Sequence, residues 1–121
     1  MTTQHRAPRL LVHLAEDRLE TVDPGDVYLI EAVRGDTLIR LRDATPLRDF
    51  RRFHQVVERF EPFGFLRIHR SYAVNLDRVR EIRLRDDRRD WEVKLEPPVN
   101  RVLPVSRAEL DRLWEAFGES R

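Results

Sequence analysis

Hydrophobic and polar residues alternate over much of the chain, in the period-two pattern that predicts half-buried β-strands. Leu10, Val12 and Leu14 share one face of the first predicted strand, and a second strand is predicted over 18–22. A third strand, over 27–33, is apolar almost throughout and is predicted to be largely buried. Further strands are predicted over 37–42, from 65 onward, and over 78–85, 91–95 and 101–104. The short turns between them favour antiparallel pairing.

Two segments have helical spacing instead. Thr45 and Pro46 predict a helix start, with Thr45 as the N-cap and Pro46 at the first helical position. One apolar face follows, made of Leu47, Phe50, Phe53, Val57 and Phe60. A second helix is predicted to open on a capping box of Ser106 and Glu109. The sequence therefore predicts a mostly β domain with an antiparallel sheet and two amphipathic α-helices.

The length of 121 residues fits one domain. We expect it to cover residues 9–121, after a short flexible N-terminal tail at 1–8. The chain has no cysteine, which excludes disulfides and thiolate metal sites and fits a reducing compartment. No apolar run approaches the roughly 20 residues needed to span a bilayer, and the N-terminus lacks the apolar core of a signal peptide. We expect a cytoplasmic protein without a membrane segment.

Motifs of catalysis and of cofactor binding are missing from the sequence. The four glycines lie far apart, so there is no glycine-rich phosphate loop, and the four histidines lack the spacing of a helical metal pair. The serines stand outside any nucleophile-elbow context. Carboxylates are interleaved with arginines, which favours ion pairs over raised pKa values. We therefore expect no catalytic residues, no cofactor, no metal and no enzyme activity.

Positive charge is concentrated in one part of the chain. The formal net charge is only +1, but residues 65–89 contain eight arginines and four acidic residues. Such a cluster is typical of a nucleic-acid-binding surface, and it is equally typical of a solvated face. Arginine outnumbers lysine by 22 to 1 along the whole chain, which a compositional bias explains as well as a functional need does.

Apolar residues and hydrogen-bond donors are most densely mixed in residues 65–76. The guanidinium of Arg70 could hold the O6 and N7 atoms of a guanine, although a surface ion pair with Asp77 is the alternative. Ser71 could contact a phosphate. We expect His69 and Asn75 to shape the turn rather than touch a ligand. Near the C-terminus, Arg107 lies in the first turn of a predicted helix, where a cation is mildly disfavoured, so an additional role or ordinary exposure is needed to explain it.

Three separated motifs resemble LytTR-type DNA-binding domains, which occur mainly at the C-terminal end of bacterial response regulators. The segment D-V-Y-L-I-E-A at 26–32 is similar to the family's strand ending in I-x-Y-I-E-A. The segment F-L-R-I-H-R-S-Y-A-V-N at 65–75 is similar to its signature, and L-P-V-S-R at 103–107 is similar to its closing motif. The motifs occur in the family's order and cover roughly residues 10–117.

The resemblance implies an elongated, mostly antiparallel β fold whose loops at strand ends reach bases in successive major grooves of double-stranded DNA. The family's contacting positions correspond to the hairpin tip, to the residues after the motif histidine and to the closing arginine. In this sequence they are Arg34, Asp36 and Thr37 at the tip, Arg70 with Ser71, and Arg107. On chemical grounds, the backbone amides near Ser106 could also take a phosphate. Arg67 is a further candidate for a phosphate contact, as are Arg48, Arg51 and Arg52. Because one module neutralises few phosphates, we expect a homodimer, or two copies, on repeated half-sites.

The alternative is a protein-interaction module with the same scaffold, such as an inhibitor of a related regulator. The small net charge favours this alternative. Asp36 favours it too, because a carboxylate at the tip would repel phosphate unless it pairs with Arg34 or accepts from a cytosine amine. The leading hypothesis remains a sequence-specific DNA-binding regulator of transcription.

Overall fold

The computed structural model describes residues 9–42 and 45–120. Over these residues the chain forms, in order, β1 (Leu10–Ala15), β2 (Arg18–Val22), β3 (Val27–Val33), β4 (Asp36–Leu41), β5 (Leu47–Asp49), α1 (Phe53–Phe60), β6 (Phe65–His69), β7 (Tyr72–Asn75), β8 (Val79–Leu84), β9 (Trp91–Leu95), β10 (Val102–Pro104) and α2 (Leu110–Ala116). The mostly β fold with two helices is thereby confirmed. The tail predicted at residues 1–8 lies outside the described residues.

The described strands form three antiparallel sheets. The largest has the order β5-β4-β3-β7-β6, a second has the order β10-β9-β8, and β1 pairs with β2. Strand β3 lies at the centre of the five-stranded sheet, where Ile30 faces Ile39 of β4 on one side and Ala73 of β7 on the other. Each pair of sequential neighbours is joined by a short connection, as antiparallel strands allow.

The five-stranded sheet is buried on both faces, which explains the nearly continuous apolar sequence of β3. One core cluster joins it to α1, β1 and β2 and includes Val12, Ile30, Ile39, Val56 and Phe60. The other joins it to the three-stranded sheet and α2 and includes Leu29, Ile68, Val93, Leu103 and Leu113. The sheet is thus held rigidly between two cores, and the turns at its ends are fixed to a stable frame.

The predicted start of the first helix is wrong. Helix α1 begins at Phe53, and Leu47–Asp49 instead forms an edge strand beside β4. The side chain of Asp49 fixes this strand, since its carboxylate accepts a hydrogen bond from the backbone N–H of His13 at 3.0 Å and another from Nη2 of Arg51 at 2.8 Å. Burial alone would raise the pKa of Asp49, but these hydrogen bonds outweigh it and hold the pKa below its ordinary value.

The second helix begins later than predicted and without the predicted side-chain cap. A 3₁₀ turn, Arg107–Glu109, precedes α2, and the hydroxyl of Ser106 makes no capping hydrogen bond. The backbone carbonyl of Ser106 accepts from the N–H of Glu109 at 2.9 Å instead. Trp114 of α2 packs edge-to-face on Trp91 of β9 with 4.8 Å between ring centroids, and this contact fixes the helix on the three-stranded sheet.

Candidate nucleic-acid interface

Two turns project from the same end of the five-stranded sheet. Strands β3 and β7 are antiparallel neighbours in which Glu31 faces Tyr72, and the N–H of Ala32 donates to the carbonyl of Ser71 at 2.9 Å. The chain continues from Ala32 into the β3–β4 tip, which contains Arg34. It enters β7 from the β6–β7 turn, which contains Arg70 and Ser71. The register of the sheet therefore places both predicted contact turns side by side.

The loop after β10 reaches the same end from the other sheet. The N–H of Ser106 donates to the carbonyl of Ile68 at 2.8 Å, and the N–H of Val105 donates to the carbonyl of Trp91 at 3.0 Å. The hydrogen bond of Ser106 thus joins the loop to β6, and that of Val105 joins it to β9. These two hydrogen bonds position Arg107 beside the β6–β7 turn, although the two segments lie far apart in the sequence.

A concave surface, whose hollow has a volume of about 310 Å³, lies where these elements meet. Its lining combines three residues predicted from the sequence, Arg70, Ser106 and Arg107, with five further residues: His69, Arg85, Asp90, Pro104 and Val105. Cationic side chains from two sheets therefore converge on one open depression. Such an arrangement can present several N–H donors to an anionic or polar ligand that lies across it.

Arg70 is exposed, and its guanidinium makes no hydrogen bond or ion pair with any other described residue. The alternative of an ion pair with Asp77 is not observed. Arg67 supports the turn from the inside, since its Nε donates to the carbonyl of His69 at 3.2 Å and its Nη2 donates to the carbonyl of Arg70 at 3.1 Å. Arg67 thus stabilises the turn, and Arg70 remains available at its tip.

His69 and Asn75 shape the local backbone, as predicted. The Nδ1 atom of His69 accepts a hydrogen bond from the N–H of Ser71 at 3.1 Å, so this nitrogen must be unprotonated. Burial, together with the charges of Arg70 and Arg67, lowers the pKa of His69 and favours the neutral ring. The Oδ1 atom of Asn75 caps a short turn by accepting from the N–H of Asp77 at 3.0 Å.

Arg107 is paired in this structure. Its Nε lies 3.0 Å from Oδ1 of Asp90, which belongs to the turn between β8 and β9. The side chain of Arg107 is 71% exposed and that of Asp90 is 37% exposed. The terminal nitrogens of Arg107 make no hydrogen bond with any described residue. The guanidinium is therefore held at one point and open at its outer edge.

The three predicted contacts at the β3–β4 tip are in different environments. Arg34 is exposed, has a left-handed backbone with φ of 50°, and its side chain makes no hydrogen bond within the described part of the chain. Asp36 pairs with Arg48 at 2.8 Å rather than with Arg34. Thr37 is 1% exposed, and its hydroxyl donates to the carbonyl of Arg51 at 2.9 Å. Thr37 thus holds the tip in place from below, and Arg34 is the side chain that extends outward.

Sequence reasoning assigned no role to the turn between β8 and β9. This turn contributes Arg85 and Asp90 to the concave surface. Asp87 closes the turn, because its Oδ1 accepts from the N–H of Arg89 at 2.9 Å and from that of Asp90 at 3.1 Å. The excess of arginine in residues 65–89 was the one indication in the sequence that this turn belongs to the site.

Within the described residues, no three histidine, aspartate or glutamate side chains gather as metal ligands would. In the same part of the chain, neither helix has the length and apolar character that crossing a bilayer requires.

Comparisons with known proteins agree with this fold. A family model described as the LytTr DNA-binding domain matches residues 17–118. A solved structure, the LytTr DNA-binding domain of a putative methyl-accepting/DNA response regulator from Bacillus cereus, is similar with a TM-score of 0.69. The sequence identity is 21%, and the match covers 91% of this chain and 96% of the other. Comparison with curated proteins gives no match.

Proposed function

Because the chain belongs to the LytTr DNA-binding domain family, we propose that it is a sequence-specific regulator of transcription that reads double-stranded DNA through three loops. These loops are the β3–β4 tip, the β6–β7 turn and the segment at 105–107. The observation that carries the proposal is the meeting of Arg70 and Arg107 on one concave surface, although they follow strands of different sheets. A surface assembled from several loops can contact several bases at once.

The proposed roles follow from the chemistry of each side chain. Arg70 presents a guanidinium without a partner among the described residues, and its fork of N–H groups matches the O6 and N7 atoms of guanine. Arg107 offers its terminal nitrogens for a second base or phosphate. Arg34 extends from the third loop, and the exposed parts of Ser71 and Ser106 fit phosphate oxygens, which fix the register of a protein on DNA.

We further propose that two copies act together on repeated half-sites, as a homodimer on DNA. Few arginines of the concave surface lack a partner within the described residues, so one copy neutralises few phosphates. A second copy adds its contacts to the same DNA molecule. We infer a location in the bacterial cytoplasm, where a regulator of transcription meets its DNA. The role of response-regulator output domain is proposed on the family alone.

A second candidate function is protein interaction on the same scaffold without DNA binding. Two acidic residues favour this function, since Asp36 and Asp90 both lie among the candidate contact residues. A carboxylate on this surface attracts a basic partner protein, and it repels the phosphates of DNA. Size-exclusion chromatography with and without DNA distinguishes the two functions, since only the first predicts a shift with DNA.

Substitution of Arg70 by alanine tests the leading proposal. DNA selected from a random pool supplies the target, and fluorescence anisotropy measures the dissociation constants for target and scrambled DNA at two salt concentrations. Wild-type binding should weaken as salt rises, because counterions are released from phosphates on binding. Arg70→Ala should reduce discrimination between the two sequences by about 1–3 kcal/mol, the usual value for one arginine–guanine pair.

Arg80→Ala is the matched control, because Arg80 is an exposed arginine at the start of β8, outside the concave surface. The control removes the same charge and should leave discrimination unchanged. No binding at low salt would exclude the DNA-binding proposal. An equal loss of affinity for target and scrambled DNA in Arg70→Ala would make Arg70 a phosphate contact rather than a base contact.

A further inference from the structure

We propose that Asp90 is a specificity-determining positioning residue, which holds Nε of Arg107 so that both terminal nitrogens of the guanidinium are presented to a base edge. The inference rests on the proposed function and adds a residue to it. Its starting observation is the single hydrogen bond of 3.0 Å between Nε of Arg107 and Oδ1 of Asp90.

The position of the bond on the guanidinium decides what the rest of the group can do. Arginine has five N–H groups, and a guanine edge accepts two parallel hydrogen bonds at O6 and N7. Asp90 occupies the Nε side, and the terminal nitrogens of Arg107 have no partner among the described residues. A bidentate ion pair through both terminal nitrogens would have blocked base reading, whereas this arrangement leaves the pair of donors open.

Preorganisation is the expected benefit. Arg107 is 71% exposed, and a long exposed side chain loses rotamer freedom when it binds. A carboxylate that already restricts the side chain reduces that loss and fixes the direction of the fork. The restriction favours the one base edge that matches this direction over others, so its effect falls on sequence discrimination more than on total affinity.

Asp90 is itself well held, as a positioning residue must be. Its N–H donates to Oδ1 of Asp87 at 3.1 Å, and its carbonyl accepts from the N–H of Arg85 at 2.8 Å. The β8–β9 turn thus supports a side chain that acts on the loop after β10. Asp90 and Arg107 both line the concave surface that contains Arg70, so the supported guanidinium lies at the site rather than beside it.

In the opposite role, Asp90 would compete with DNA, because it would occupy the guanidinium of Arg107 and repel phosphates. The two roles separate in their response to substitution, because Asp90→Ala removes both the charge and the acceptor, whereas Asp90→Asn removes the charge and keeps an acceptor oxygen. A positioning residue should be largely rescued by asparagine. A competitor should not distinguish the two variants, since both lose the negative charge.

The experiment measures the ratio of dissociation constants for scrambled and target DNA in wild type, Asp90→Ala, Asp90→Asn and Asp86→Ala. Asp86 is the matched control, being an exposed aspartate of the same turn that does not line the concave surface. The arginine–guanine pair as a whole is worth about 5- to 150-fold in discrimination, so loss of its support should lower the ratio by about 3- to 10-fold in Asp90→Ala. The ratio should stay near that of wild type in Asp90→Asn and Asp86→Ala. Adding Asp90→Ala to Arg107→Ala should change it no further.

A spectroscopic readout tests the same inference without any variant. The Nε–H resonance of Arg107, followed by ¹⁵N–¹H spectroscopy, should keep the signature of its hydrogen bond when target DNA is added. Release of this hydrogen bond in the complex would overturn the positioning role, as would an equal gain of affinity for both DNAs in Asp90→Ala and Asp90→Asn. A wild-type protein that binds no DNA would instead overturn the proposed function, whereas sequence-specific wild-type binding with an unchanged ratio in Asp90→Ala would overturn this inference alone.

Discussion

Glu31 connects the two larger sheets, and its replacement by glutamine tests how they are held together. This residue of β3 is 2% exposed. Its Oε1 lies 2.8 Å from Nε of Arg40 in the neighbouring strand β4. Its Oε2 lies 3.0 Å from Nη2 of Arg101, which directly precedes β10 in the three-stranded sheet. A single carboxylate therefore joins an arginine from each sheet.

The expected loss follows from these contacts. Removing one partner of a buried ion pair costs about 3–5 kcal/mol, because the other charge is left unpaired. Here the remaining arginines are each 35% exposed and keep part of their hydration. Glutamine also retains the volume of Glu31 and one acceptor oxygen. We therefore expect Glu31→Gln to lower the free energy of unfolding by about 2–3 kcal/mol at pH 7.

Urea unfolding measures this loss and its dependence on pH. With a slope of about 1–3 kcal/mol per molar urea, the midpoint should fall by roughly 0.7–3 M. Burial alone would raise the pKa of Glu31, but hydrogen bonds from Arg101 and Arg40 outweigh it and lower the pKa from its ordinary 4.5. The stabilisation by the carboxylate is therefore present above pH 4.5 and is lost as the pH falls through the lower pKa of the folded state. The difference between wild type and Glu31→Gln should shrink on acidification.

Glu20→Gln is the control, because Glu20 is an exposed glutamate in β2 and its removal should leave the midpoint almost unchanged. Two results would refute the reasoning. A difference that is the same at pH 7 and in acid would mean that Glu31 acts through packing rather than charge. An equal midpoint shift in Glu20→Gln would mean that the loss comes from the general charge balance and not from the two arginines.

Two further predictions concern the core and the β6–β7 turn. Phe60→Ala should lower the free energy of unfolding by about 3–5 kcal/mol, since Phe60 is fully buried and packs edge-to-face on Phe65 with 5.1 Å between ring centroids. Urea unfolding measures this loss. Phe50→Ala is the control, because the side chain of Phe50 is 53% exposed and its removal should cost far less. His69 should titrate below pH 6.5 in ¹⁵N spectra of its ring, because burial and the charges of Arg70 and Arg67 lower its pKa. The stability that the neutral ring provides is then present above pH 6.5 and is lost as the pH falls through that lower pKa. A midpoint at or above 6.5 would contradict the hydrogen bond from Ser71 to Nδ1.

The strands were predictable because their information is local. Alternation fixes which face of a strand is buried, and turn residues fix where it ends. The strand predicted over 27–33 is observed as Val27–Val33. In the turn before it, Oδ1 of Asp23 accepts from the N–H of Gly25 at 2.8 Å.

The start of the first helix was not predictable from spacing alone. Apolar residues at 47, 50 and 53 fit one face of a helix, but a short edge strand followed by a bend gives the same spacing. The choice is made by contacts with distant residues, since Asp49 binds the backbone of His13 and pairs with Thr37 of β4. Tertiary contacts of this kind override local preference, and a proline at the start of a segment does not reveal them.

The candidate site was predictable as a set of residues but not as a surface. Family motifs identified Arg70 and Arg107, yet their meeting depends on the hydrogen bond between Ser106 and Ile68, which no local pattern specifies. Thr37, in contrast, was predicted as a contact at the tip, but packing under the tip buries it. Asp90 was missed because its partner, Arg107, is 17 residues away.

The pairing of charges explains how a surface for DNA can exist on a chain of net charge +1. Its aspartates are each neutralised by an arginine, Asp36 by Arg48 and Asp90 by Arg107. Arg34 and Arg70, by contrast, stand at the tips of two turns without a partner among the described residues. Positive charge is therefore available where the turns project, even though the chain is nearly neutral. So few arginines without a partner in the described part of the chain neutralise few phosphates. We therefore expect base contacts to provide the selectivity of this surface, and the proposed second copy to add affinity.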